Sequence, residues 1–103
     1  MHFYKEPKGY AKTALSDLQG AFGNLREEVV AAVPFSGWER LLFHVDEAMS
    51  WESVRDLAHM RDTVLLIRNI ATRAPAPQAV MEWIDIVQEN LDEVLEIFKK
   101  RST

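Results

Sequence analysis

Apolar residues recur at steps of three and four along most of the chain, and prolines interrupt that rhythm at only two internal points. A period near 3.6 is the signature of helices with one buried face, so the pattern excludes a sheet-based core from the outset. Leu15, Leu18, Phe22, Leu25, Val29 and Ala32 draw the first stripe and predict a helix over residues 13–33. Pro34 cannot continue it, because its ring removes a donor and clashes with the preceding turn. The segment Pro34-Phe35-Ser36-Gly37 reads as a turn, and Ser36 with Glu39 has the spacing of a capping box. A second helix over 37–49 carries Trp38, Leu41, Leu42, Val45, Ala48 and Met49.

Ser50 is the expected N-cap of a third helix over 51–73. No proline or glycine marks that junction, so one continuous helix is the alternative. The run Val64-Leu65-Leu66-Ile67-Arg68-Asn69-Ile70-Ala71 is apolar on almost every side, which predicts that this helix is the central one. Ala74-Pro75-Ala76-Pro77 is a stiff linker. A fourth helix over 78–100 holds its period from Val80 to Phe98 and ends on Lys99-Lys100-Arg101, where cations suit the negative pole. Residues 1–12, with Pro7, Gly9 and the rings of Phe3, Tyr4 and Tyr10, read as an irregular arm covering one end. The expectation is an all-α, compact four-helix bundle forming a single domain over 1–103, since a chain of 103 residues supports one core.

Composition narrows the function. The absence of cysteine rules out disulfides, thiolate metal sites and a cysteine nucleophile. A formal charge of −4 opposes direct nucleic-acid binding, which rests on a basic face that displaces counterions. Charged residues break every apolar run well below membrane-spanning length, and the first residues lack the apolar core of a signal peptide, so a cytoplasmic protein with no membrane association is expected.

The fourth helix bears the most marked surface. Glu82, Asp85, Glu89, Asp92, Glu93 and Glu96 project into about one-third of its circumference, and only Glu96 has a cation one turn on, Lys100. Such a row either keeps the protein soluble or docks a basic protein. On the same helix Trp83, Ile86, Asn90 and Ile97 widen the apolar arc beyond what one neighbour covers, which marks a candidate homodimer or partner seam. Phe43 lies across its helix from Leu41 and Val45 and joins that set as a candidate exposed anchor. Arg61 and Arg68, two turns apart, point into the arc of Val54, Leu57, Val64 and Leu65; they need acceptors and are candidate anion ligands.

Catalytic readings fare worse. His44 with Glu47 and Asp56 with His59 have one-turn ligand spacing, but a buried metal bundle needs further inward carboxylates. The pairs Arg40…His44 and Arg55…His59 lack the polar surroundings a catalytic pair requires. Gly20-Ala21-Phe22-Gly23 lies within a helical period, so it is no phosphate loop; of its glycines only Gly23 is placed to admit a close helix neighbour. No metal or cofactor is expected. These readings favour a noncatalytic protein–protein interaction module, an acidic inhibitor, immunity-type protein or adaptor. The competing reading is a ligand-binding bundle or enzyme with a polar site around Arg61, Arg68 and His44.

Overall fold

In the computed structural model the described residues are 10–102, with side chains described for 12–100. Most of the predicted irregular arm lies outside them; its last three residues, by contrast, already belong to the first helix. The elements are α1 (Tyr10–Ala32), α2 (Trp38–Ser53), α3 (Leu57–Arg73) and α4 (Gln78–Ser102). Each helix packs on its neighbours in the chain, and α4 closes the ring by lying along α1 in the most extensive contact of the bundle. Diagonal pairs do not meet. Cross-links between Arg26 and Asp46, Gln19 and Glu52, and Arg68 and Asp85 pair early with late positions, so consecutive helices run antiparallel. No helix among the described residues is long and apolar enough to cross a membrane.

The helices are unequal. At 23 and 25 residues α1 and α4 outrun α2 and α3, at 16 and 17, so the long pair extends past the α2–α3 turn and the molecule measures 48 Å by about 20 Å. The core is built from Leu18, Phe22, Leu25 and Val29 of α1 against Val80, Ile84, Val87 and Leu91 of α4, with Leu41, Val45, Met60, Val64 and Ile67 closing it from the other side. The expectation that the third helix is central is corrected here. α3 touches only α2 and α4, its contact with α4 is the sparsest in the ring, and Leu65 is half-exposed. Its apolar run serves one inward face formed by Met60, Thr63, Val64, Ile67 and Ala71.

Two caps differ from the sequence reading. Ser36 does not cap α2: Gly37 precedes the helix in the left-handed region, at φ 82, and makes no side-chain cap. Glycine is favoured there because a Cβ at that φ is strained; space is not the reason, since a Cβ would make only ordinary contact with the Cβ of Ala74, at 3.6 Å. Nor does Ser50 open α3. The helix runs on through Trp51 and Ser53, and the break falls at Arg55, whose φ of 60 is left-handed. The amide of Arg55 donates to Glu52 O and that of Asp56 to Trp51 O, both at 3.0 Å, which closes the end of α2. Asp56 then caps α3 by accepting from the His59 amide at 3.1 Å.

An arginine in this position is held by a buried acid. Glu52 is only 6% exposed. Its Oε2 accepts from Arg55 Nη1 at 2.8 Å and from Gln19 Nε2 at 3.0 Å, so the ion pair that satisfies the carboxylate also ties the turn to α1.

The glycines inside α1 have no such role. A Cβ built on Gly20 or Gly23 meets nothing within 4 Å, so Gly23 does not admit a close neighbour as expected. Gly20→Ala and Gly23→Ala are each expected to stabilise the protein, by about 0.5–1 kcal/mol, through helix propensity and reduced unfolded-state entropy. Urea unfolding of the two variants measures it; a loss at either position would mean that unseen crowding outweighs propensity.

Candidate functional site

Positions 43, 47, 50 and 51 of α2, with Val54 at its C-cap, follow the i, i+4, i+7, i+8, i+11 series and so share one face. That face is the back of the helix, since Leu41, Val45, Ala48 and Glu52 turn inward. Phe43 and Val54 are each 66% exposed. Together with Asp46, Glu47, Ser50 and Trp51 they line an open groove of about 470 Å³.

The groove is apolar because its polar groups are engaged elsewhere. Asp46 Oδ1 accepts from Arg26 Nε at 2.7 Å, a bond that also holds the Arg26 guanidinium above its ordinary value. Ser50 Oγ donates to Asp46 O at 3.2 Å, and Glu47 Oε1 pairs with His44 Nδ1 at 2.8 Å. The rings are braced too. Phe43 meets His44 edge-on at 5.1 Å, and Trp51 stacks on His59 with centroids 4.5 Å apart and planes 21° from parallel. His59 is itself held by Asp56, through the backbone amide and through Nδ1 at 2.8 Å, and the two bonds, led by the amide, hold the Asp56 carboxyl below its usual range. Trp51 is thereby fixed before anything binds.

The structure places Phe43 on the surface and Trp83, Ile86 and Ile97 half-buried against the core. Asn90, in the same line, spends its amide on α4 itself, donating to Ile86 O at 2.8 Å. Sequence reasoning missed Val54, counted as core of α3, and the groove role of Trp51. Both depend on α2 continuing past Ser50; once it does, the spacing from Phe43 to Val54 is the signal.

The acidic row of α4 is exposed at Glu82, Asp85, Glu89, Asp92 and Glu96, with Glu93 half-buried. It is less bare than expected. Asp85 Oδ1 accepts from Arg68 Nη2 at 2.5 Å, and Glu82 Oε2 accepts from Gln78 at 3.2 Å. The predicted pairing of Glu96 with Lys100 is not formed; among the described residues Glu89, Asp92 and Glu96 make no ion pair.

Arg68 reaches across to α4, bonding Gln88 Oε1 at 2.6 Å as well as Asp85. Arg61 does not point into an apolar arc. It is exposed, 4.0 Å from its own neighbour Asp62, because the buried face of α3 is rotated toward Met60 and Thr63, away from the arc read from sequence. His44 is occupied by Glu47 on α2. Arg61, Arg68 and His44 therefore form no common site. Among the described residues no group of three or more His, Asp or Glu side chains is arranged to hold a metal ion.

Comparison of this chain with protein-family models, with curated proteins and with solved structures finds no match.

Proposed function

We propose that this protein is a noncatalytic binding module that seats an amphipathic helix of a partner protein on the outer face of α2. The observation that carries the reading is the pair Phe43 and Val54, both two-thirds exposed at the ends of one apolar groove, with the braced ring of Trp51 between them. Ten residues of helix lie between the two, which stand about 16 Å apart along the axis, the length of a three-turn partner helix. Each large apolar side chain withdrawn from water is worth about 1.5–3 kcal/mol, and aromatic anchors concentrate binding energy.

Charge defines the partner further. Asp46 and Glu47 at the groove edge are engaged by Arg26 and His44, but the whole chain carries −4, so the complementary helix bears lysine or arginine beside its apolar ridge. The α4 row lies on a helix that does not touch α2, and its contribution is long-range attraction rather than contact. Inhibitors, immunity-type proteins and adaptors all work through contacts of this kind.

Selection from a displayed library of helical peptides tests the reading. Enriched peptides should carry apolar residues at i and i+4 with adjacent cations, and Phe43→Asp should weaken them by about two orders of magnitude while the circular-dichroism spectrum stays helical. Glu89→Lys with Asp92→Lys should slow association and flatten its salt dependence without removing the complex. Binding that survives Phe43→Asp but is lost on charge reversal would move the site to α4 and overturn the proposal. A concentration-dependent dimer in light scattering that Phe43→Asp dissolves would make the occupant a second copy, and would overturn it equally.

A further inference from the structure

We infer that a second, smaller cavity, between the start of α2 and the end of α3, binds a phosphate group. It measures about 170 Å³ and is lined by Arg40, Asn69 and Arg73, with Leu66 and Ile70 beneath and Gly37 at its edge. Leu66, Asn69, Ile70 and Arg73 form a single i, i+3, i+4, i+7 stripe on α3, so the two cations enter from different helices.

What distinguishes this cavity is the arginine accounting. Arg26, Arg55, Arg61 and Arg68 each have a carboxylate within 4.0 Å. Among the described residues Arg40 and Arg73 have no ion pair or hydrogen-bond acceptor, and both line this one space. Arginine cannot shed its charge, so the cavity gathers two permanent cations that make no ion pair among the described residues. The helix dipole accounts for Arg73, which sits in the last turn of α3, but it runs against Arg40, which sits in the first turn of α2. An arginine placed against the dipole, with no acid opposite, is explained by a ligand that supplies the negative charge.

The chemistry of the lining selects phosphate. Two planar forks and an amide present more donors than the two oxygens of a carboxylate accept, whereas a phosphate or phosphomonoester presents three peripheral oxygens in a tetrahedral spread. The space is equivalent to about six waters, enough for that group with a short organic substituent against Leu66 and Ile70.

The test uses the full chain at constant ionic strength, with inorganic phosphate and phenyl phosphate as probes and benzoate as the carboxylate control. Titration should raise the melting temperature saturably and shift the side-chain Nε resonances of Arg40 and Arg73, with benzoate weaker than both phosphates. Arg40→Gln with Arg73→Gln, both solvent-accessible positions, should leave the fold intact and weaken phosphate binding by at least about tenfold. Equal stabilisation of wild type and double variant, or Nε resonances that do not move, would overturn the site. Benzoate binding as tightly as phenyl phosphate would overturn the assignment to phosphate.

Discussion

Phe22→Ala is expected to destabilise the protein by about 3–5 kcal/mol, the largest loss available from a single side chain here. Phe22 is 1% exposed and lies on α1 between the fully buried Leu18 and Leu25, facing the core that α1 shares with α4. Removing the ring forfeits its transfer energy and leaves a cavity whose walls are helices pinned along their whole length, so little of the space can close. A domain of this size is stable by only about 5–15 kcal/mol, so the variant should unfold at a far lower urea midpoint with an unchanged slope. A loss below about 1 kcal/mol would place Phe22 at a site that collapses freely, which is incompatible with a rigid α1–α4 pair.

Arg55→Ala is expected to cost about 2 kcal/mol although the position is exposed. It removes the charged donor from the buried carboxylate of Glu52, leaving Gln19 as the remaining side-chain donor, while a Cβ still has to occupy the left-handed conformation. Arg55→Gly should cost about 1 kcal/mol less than Arg55→Ala, because glycine adopts a φ of 60 without strain. In a Glu52→Gln background the arginine has no charge to neutralise, so Arg55→Ala should lose most of its effect and Arg55→Gly should become stabilising, by about 1 kcal/mol. Chemical denaturation of this cycle measures the pair directly. If Arg55→Ala cost nothing, or Arg55→Gly exceeded the wild type by the full strain relief of about 1 kcal/mol, the ion pair would contribute nothing and the turn would rest on its backbone bonds alone.

The Arg55 turn also explains why the junction between α2 and α3 was the hardest to read. Left-handed helix ends ordinarily announce themselves by glycine or asparagine, and the sequence 50–56 has neither. The conformation is sustained by an ion pair to Glu52, which stands on the buried stripe of α2 but is a charged residue that the apolar pattern does not count. Moving the boundary changes the site: Trp51 passes from the predicted third helix to α2 and Val54 becomes the C-cap of α2, and the groove beside Phe43 exists only in that register. The same shift accounts for the arginines. With Val54 removed from α3 and Met60 and Thr63 turned inward, Arg61 falls on the solvent side and Arg68 at the α4 boundary.

Ser36 and Gly23 show the opposite limit of local signals. The capping-box spacing of Ser36 and Glu39 is genuine, yet Gly37 in the left-handed region carries the chain into α2 and no side-chain cap forms. Gly23 stands where a close neighbour was expected and has open space instead. Each pattern records what a residue is able to do, and packing decides whether it does so.

The sequence by itself determined the number of helices, their order, the two proline-marked junctions and most of the buried stripe of α1 and α4. These depend on interactions within about one turn of chain, where residue type and spacing fix the physics. Tertiary structure alone decided that α3 is not central, where α2 ends, that Asp85 is paired, that Phe43, Trp51 and Val54 share one groove, and that Arg40 and Arg73 line one cavity without an ion pair. Each of those depends on rotations of one helix against another, and the energies that set them come from residues far apart in sequence.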